Sequence, residues 1–578
     1  GKRCCMRTEH ADVLIIGSGG AGLRAAIELA DNNIDVLVVG KCKKRDAHTI
    51  LATGGINAAL GNMDSQDSWQ LHAADTIRDG CFINDTDAVI TLCKHAPQAI
   101  KELAKWGVNF HREKNGKISQ RFFGAATYRR ACFVGDHIGR EILNTLVDQA
   151  EKRNIRFQSK VYIFSLLTHK GKVNGALGLD IQKGKVICFH AKVIILATGG
   201  HSRMFSRSSS RFWENNGDGI ALAYHGGTKF MDMEMFQFHP TGMLSPPEVE
   251  GMLVTEAVRG EGGILLNAKG DRFMKYYDPQ RMELSARDIV ARAIYHEVKV
   301  GRGTKNGGVW LDISHKPKEY ILKRLPKMVE QFKKFAHIDI TKQKMEVGPT
   351  AHYSMGGIYV NHKTGQTSVP HLYAIGEVTA GVHGANRLGG NSLAEILVFG
   401  KLTAKNVLKQ VKKRTWSPLN AQQIKEKICW LSMLTKEKKG SNPINIKKKI
   451  QEFMWKGVGA IRTERDMRQT SEMLKQVKKT KYNVGPSLKM NEKLIAALDV
   501  YNMLPTCEMI IQSALYRKES RGAHYHSDYP KTTSKWKKNI ICTPTKKGIK
   551  LSTKPIRKMP DIIKKQLYDK KLMAHLLE

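Results

Sequence analysis

Cysteine is present in this chain without the spacings that give it a structural job. The ten cysteines (positions 4, 5, 42, 81, 93, 132, 188, 429, 507 and 542) form no C-x-x-C and no repeated interval in 578 residues. That argues against a disulfide framework and against a set of cluster ligands. Any iron–sulfur cluster must then sit on another chain, and a reducing compartment is the natural inference. Long apolar runs are missing as well: no stretch of ~18 consecutive apolar residues occurs, so no segment reads as a bilayer span. Residues 1–10 lack the apolar core of a secretory signal, and the chain opens on Gly1, as a processed or trimmed chain would. Acidic residues fall short of basic ones, 53 against 94, for a net charge of +41. The excess is concentrated behind residue 400, where 41 Lys and Arg face 14 Asp and Glu. Nucleic-acid binding would need aromatics interleaved with those charges, and it is not expected. Attraction to an anionic membrane surface or an acidic partner, and a plain lysine-biased solvated surface, both stay open.

What is present begins with Ala11-Asp12-Val13-Leu14-Ile15-Ile16, an apolar, β-branched run that reads as a buried strand. Gly17-Ser18-Gly19-Gly20-Ala21-Gly22 follows, then an Ala- and Leu-rich helix over residues 23–30. In this G-x-G-x-x-G the first glycine permits a tight turn, the second admits a pyrophosphate, and the third lets helix and strand pack closely. A second strand, residues 36–39, arrives at the spacing of a dinucleotide-binding unit. The acidic residue expected at its end to hold a ribose is absent, and Gly40-Lys41 stands there. A second glycine turn, Thr53-Gly54-Gly55, comes close behind Asp46-Ala47-His48-Thr49. Two such turns suit a long bent cofactor, so FAD fits better than NAD.

On these residues the chain resembles the flavoprotein subunit of succinate dehydrogenase and fumarate reductase, a family that includes L-aspartate oxidase. The likeness extends from about Ala11 to about Pro530. It implies covalent FAD through His48, which matches the histidine that carries the flavin 8α linkage in the respiratory members. L-aspartate oxidase lacks that histidine. The resemblance also assigns FAD contacts to Gly17, Gly19, Gly20, Gly22, Lys41, Thr49, Gly54 and Gly55. Further flavin contacts are Ala197, Thr198 and Gly199 in the Ala-Thr-Gly-Gly turn, Asp218 in Asn216-Gly217-Asp218-Gly219, then Glu377, Ser392 and Leu393.

Interconverting succinate and fumarate requires two fixed carboxylates, a hydride transfer and a proton transfer. Carboxylates call for Arg forks and for His or hydroxyl donors. Four blocks offer them: Gln237-Phe238-His239-Pro240-Thr241, Thr255-Glu256-Ala257-Val258-Arg259, Ser285-Ala286-Arg287-Asp288, and Pro349-Thr350-Ala351-His352-Tyr353 with His383-Gly384-Ala385-Asn386-Arg387. From the residues alone, His239 before proline reads as a turn residue, Glu256 and Arg259 as an ion pair, and Arg287 as a partner of Asp288. The resemblance instead places His239, Thr255, His352, Arg387 and Phe123 on the substrate. It makes Arg287 the proton donor and acceptor, recharged through Glu256 and Arg259. No metal site is expected.

The fold expected is α/β: a Rossmann-like FAD-binding domain (1–235 and 349–404) interrupted by an α+β capping domain (236–348). A helical domain (405–530) and a basic C-terminal extension (531–578) follow, the latter read as an arm ordered only against a neighbour. Within 155–198 the composition predicts strands with turns at Lys170-Gly171, Val173-Asn174-Gly175 and Lys183-Gly184. The charges of Glu519 to Tyr525 read as interdomain pairs. The resemblance implies succinate oxidation, with fumarate reduction or L-aspartate oxidation as alternatives. It implies electron transfer to an iron–sulfur subunit, then to quinone through membrane-anchor subunits. The chain would then lie peripherally on an inner membrane, facing a mitochondrial matrix or a bacterial cytoplasm.

Overall fold

A computed structural model describes residues 6–567. Strand Arg7–Ile16 lies between Val36–Val39 and Lys185–Leu196, parallel to both. Val13, Leu14, Ile15 and Ile16 are all buried, as a parallel strand covered on both faces requires. Leu372–Ala374 adds beyond Lys185–Leu196, and Arg156–Gln158 beyond Val36–Val39. The register sets Ile16 opposite both Val39 and Leu196, and Leu196 opposite Ala374. These strands therefore end along one edge, the edge where open parallel sheets bind ligands.

Helix Gly20–Ala30 starts at that edge with no side-chain cap; Gly20 N donates to Thr49 Oγ1 at 3.0 Å. Gly17 has φ +118°, and a Cβ there would stand 2.0 Å from the Ala197 carbonyl oxygen. At Gly22 a Cβ would stand 2.2 Å from the Gly17 oxygen, so the third glycine serves helix–strand packing.

One expected turn is corrected. Val173-Asn174-Gly175 lies inside strand Lys172–Asp180, with Gly175 paired to Leu167 on one side and His190 on the other. The buried apolar ladder outweighs the local Asn-Gly signal, and Asn174 Nδ2 donates to Ser417 Oγ at 3.1 Å.

The segment after residue 235 builds its own antiparallel sheet from Phe236–Met243, Ile264–Leu266, Val309–Asp312 and Met345–Ser354. Helices Arg287–Glu297 and Pro326–Ala336 cover it around Val258, Phe273, Ile294, Leu311 and Val347. Its outgoing and returning strands pair with each other, His239 opposite Thr350. The return strand runs continuously through position 348, so that boundary falls within an element rather than between two. Likewise helix Asn391–Val411 runs through position 404.

Helices Pro443–Gly457, Glu464–Lys478 and Glu492–Tyr516 each start on a side-chain cap, from Asn442, Thr463 and Asn491 respectively. Glu492–Tyr516 is long and apolar enough to cross a membrane by length and composition. It buries Leu494, Leu498, Met503 and Ile510 and serves as a core helix. Arg517 ties this region to the base through Glu234 at 2.9 Å, and Arg521 Nη1 reaches the Cys81 carbonyl at 2.8 Å. Glu519 is corrected from an interdomain partner to a local one, held by Arg517 at 3.1 Å and Arg521 at 2.7 Å.

The reading of 531–578 as an arm ordered only by a neighbour is corrected. Lys538–Thr545 and Gly548–Pro555 form a hairpin whose first strand pairs with Phe230–Met231, setting Phe230 opposite Cys542. Ile540, Ile541 and Cys542 are buried there, which supplies the apolar driving force that the lysine-rich composition hides. Helix Asp561–Leu567 then packs Ile563 and Leu567 on Ala73, Ala74 and Ile77. The last part of the extension, residues 568–578, lies outside the described residues, as do Cys4 and Cys5.

Candidate active site

A single cavity runs from the glycine turn at the sheet edge to the capping sheet. Of the sequence-predicted positions, Gly17, Gly19, Gly20, Lys41, His48, Thr49, Gly54, Gly55, Ala197, Thr198, Gly199, Asp218, Glu377, Ser392 and Leu393 line it. Phe123, His239, Thr255, Glu256, Arg287, His352 and Arg387 line its other end. Gly22 and Arg259 stand behind the wall rather than in it.

At the first end the cavity offers the open start of a helix, apolar walls from Ile16, Val39, Leu51 and Ile163, and polar atoms without partners. The Thr53 and Thr198 hydroxyls are buried there and unpaired. Such a site fits a ligand with a diphosphate, hydroxyls and a flat ring, which is FAD. Lys41 does not stand alone in place of the missing acid. Its Nζ pairs with Asp218 at 2.7 Å, Asp218 accepts from Asn502, and burial's downward pull on Lys41 is outweighed by Asp218 and Asp499.

His48 opens the short helix His48–Leu51, and its Nδ1 lies 2.9 Å from Glu214 Oε1. An ionised carboxylate only accepts, so Nδ1 carries the hydrogen and Nε2 is left free. Arg211 holds Glu214 through Nε and Nη2 and reaches Asp46 at 2.7 Å. Burial would raise the Glu214 pKa, but His48 and Arg211 outweigh it and hold the carboxyl at about 2. Burial would lower the His48 pKa, and Glu214 turns that into a rise.

At the capping end, strand Phe236–Met243 supplies His239 and the return strand supplies His352, with ring centroids 5.1 Å apart. Thr241 N donates to His239 Nδ1 at 3.1 Å, so the neutral ring carries its hydrogen on Nε2. His352 Nδ1 meets Ser209 Oγ at 2.7 Å. Burial lowers both imidazole pKa values well below the usual range, and the neighbouring cations, Arg287 beside His239 and Arg387 beside His352, lower them further. Arg387 stacks over the Tyr353 ring, 4.1 Å from its centroid, and Tyr353 donates to Glu395 at 2.8 Å. Burial, with Arg287 nearby, pulls Arg387 down to about 10.

Arg287 begins helix Arg287–Glu297. It does not pair with Asp288, whose partner is Arg292 at 3.0 Å. Instead Arg287 Nη2 donates to Glu256 Oε2 at 3.1 Å, and Arg259 Nη2 to Glu256 Oε1 at 3.4 Å. The local Glu256–Arg259 pair expected from spacing is thus one limb of a buried Arg–Glu–Arg line. Burial raises the Glu256 pKa, and the two guanidiniums more than reverse this. Arg287 and Arg387 line this end with one carboxylate, Glu256, between the guanidiniums, which favours an anion. Phe123 lies over Gly54, where an added Cβ would come within 2.2 Å of the ring.

Sequence reasoning passed over Ser209, Glu214, Gln237, Tyr353 and Asn386. Gln237, Tyr353 and Asn386 stand inside blocks already singled out. Ser209 and Glu214 precede Asn216-Gly217-Asp218 in a loop with no motif of its own.

Residues 12–393 match the family described as FAD binding domain, and residues 447–567 that described as fumarate reductase flavoprotein C-term. The second match spans position 530, in keeping with the integrated hairpin. The chain is 43% identical over 542 residues to a fumarate reductase (CoM/CoB) subunit of Methanothermobacter marburgensis, covering 92% of this chain and 97% of that one. It is 37% identical over 574 residues to the succinate dehydrogenase flavoprotein subunit of Rickettsia bellii, covering 94% and 95%. The solved structure of Mycobacterium smegmatis Sdh1 in complex with UQ1 superposes with a TM-score of 0.87 at 39% identity, covering 99% and 98%. These matches along nearly the whole length make the chain a member of the FAD-dependent succinate dehydrogenase and fumarate reductase flavoprotein family.

Proposed function

We propose that this chain interconverts succinate and fumarate as the flavin-bearing member of a larger assembly. The observation that carries the reading is the convergence of His239, His352, Arg287 and Arg387 on one end of the FAD cavity. Neutral His239 donates its Nε2 hydrogen to a substrate carboxylate, with the Thr255 hydroxyl as a second donor. Arg387 and His352 grip the other carboxylate, and Phe123 shields the carbon chain from water. Bound FAD supplies hydride transfer. Arg287 holds the proton exchanged at the adjacent carbon, and Glu256 with Arg259 recharges it. A free guanidinium is too weak an acid to act alone, so the hydrogen-bonded Glu256 gives Arg287 a partner through which the proton passes.

His48, free at Nε2, supports covalent attachment of the flavin and hence succinate oxidation. The 43% identity to a protein named as a fumarate reductase supports the opposite direction. The relatives named as subunits support a place in a larger assembly, and the Sdh1 structure with UQ1 supports quinone as the acceptor. An iron–sulfur partner, anchor subunits and a peripheral place on a membrane follow from the family resemblance. Purified holoprotein should reduce a dye with succinate and oxidise a reduced viologen with fumarate, malonate inhibiting both. Their ratio gives the preferred direction, and L-aspartate serves as the competing substrate. A flavin-loaded protein that turns over neither diacid would overturn the reading. Flavin fluorescence that stays with the acid-denatured polypeptide, and is lost in His48→Ala, would support the covalent link.

A further inference from the structure

Between the two arginines stands a side chain with no assigned role. Gln237 is 1% exposed on the outgoing strand of the capping sheet. Arg287 Nη1 donates to Gln237 Oε1 at 3.0 Å. Gln237 Nε2 donates to the Arg387 carbonyl at 2.8 Å and to Asn386 Oδ1 at 3.1 Å. Asn386 Nδ2 in turn donates to Asp79 Oδ1 at 3.0 Å.

The amide orientations along this line follow from one fact. A guanidinium only donates, so the atom of Gln237 that faces Arg287 is its oxygen. The nitrogen must then face Arg387 and Asn386, both through acceptors. The Asn386 oxygen being engaged, its nitrogen faces Asp79. All four of these hydrogen bonds lie in buried surroundings, where an unmade bond is expensive, so the line has one arrangement. It joins Arg287 on the capping segment to Arg387 on the flavin-bearing base. Opposite Gln237 in the ladder lies Tyr353, the ring on which Arg387 stacks.

We propose that Gln237 is a positioning residue for the dicarboxylate reaction, its amide setting the placement of Arg287 relative to Arg387. The inference rests on the proposed function. Hydrogen bonds already hold Arg287 to Glu256 and stacking holds Arg387 to Tyr353, so Gln237 sets the registry between them rather than the existence of either. Misplacement by about 1 Å can slow a reaction ~10²-fold.

The test is Gln237→Met, close in volume but without the amide, beside Gln237→Glu, which keeps an acceptor for Arg287 and opposes an acceptor to the Arg387 carbonyl. Each is made in the wild-type and in the Arg287→Lys background. Flavin content, thermal midpoint, malonate affinity from the perturbed flavin spectrum, and kcat and KM are measured on the holoprotein. The expected result is a ~10²-fold fall in kcat for Gln237→Met and at least ~10-fold for Gln237→Glu. Malonate affinity should stay within ~3-fold, because Arg387, His239 and His352 still grip the carboxylates. In the Arg287→Lys background the further loss should be under ~3-fold, since the registry is already broken.

A kcat within ~3-fold of wild type in a flavin-loaded variant would overturn the proposal while leaving the proposed function intact. Full additivity with Arg287→Lys would overturn it too, as would parallel losses of malonate affinity, flavin and thermal midpoint in both variants. A wild-type protein inactive on both diacids would reject the proposed function, and this inference with it.

Discussion

The two ends of the cavity are built from different materials. The flavin end is framed by backbone, a turn where Gly17 approaches Ala197, an uncapped helix start and the successive ends of parallel strands, with the Lys41 and His48 side chains added to that frame. The capping end, where we propose the diacid binds, is made of long side chains brought from separated blocks, each held by a buried partner: Arg287 by Glu256 and Gln237, Arg387 by Tyr353, His352 by Ser209. A backbone site is fixed once its strand and helix form. A side-chain site depends on every partner, so its chemistry can be changed one atom at a time while the fold survives.

Substitutions at the two ends should therefore fail in different ways. The largest effect is expected from a matched pair. Gly17→Ala drives a methyl into the Ala197 carbonyl, and flavin content by absorbance should fall below about a tenth of wild type. Arg287→Lys should keep its flavin and lose ~10²–10⁴-fold in kcat, the range for removing a proton-transfer group. Loss of flavin in Arg287→Lys, or retention in Gly17→Ala, would erase the distinction.

Lys447 and Asp499 form a buried pair at 2.8 Å behind the flavin end. Lys447→Ala should cost about 3 kcal/mol in chemical denaturation by removing the cation from a carboxylate that keeps only the Tyr162 hydroxyl as donor, with KM unchanged. Next comes the pH dependence of the His48–Glu214 pair. Glu214, held at about 2 against 4.5 when unfolded, contributes stability that is complete above pH 4.5 and lost as pH falls towards 2. His48, raised above 6.5, contributes stability that is complete below pH 6.5 and lost as pH rises through its folded value. The thermal-midpoint gap between wild type and Glu214→Gln should thus be widest between pH 4.5 and 6.5 and narrow on either side. The smallest effect belongs to Ser209→Ala, which removes one hydrogen bond from His352. KM should rise ~2- to 10-fold with kcat nearly constant, the worth of a single bond of about 1 kcal/mol.

The same contrast explains what could be read in advance. Strand, glycine turn and helix at residues 11–30 carry their own local signal, so the flavin end was legible from spacing. Arg287 was not: its neighbour Asp288 is the obvious partner by sequence, and only the packing of its helix against the outgoing strand turns it towards Glu256. Gln237 was less legible still, since an amide inside a strand has no signature until both its partners are placed. The C-terminal hairpin hid for another reason. Lysines dominate its composition, while the buried Ile540, Ile541 and Cys542 are too few to stand out against them.

That hairpin also bears on the order in which the molecule can be completed. Phe230–Met231 finds its partner strand some three hundred residues downstream, in the last tenth of the chain. A polypeptide ending short of residue 538 would lack the strand that pairs with Phe230–Met231 and the buried Ile540, Ile541 and Cys542, so this flank is zipped only by the last tenth of the chain.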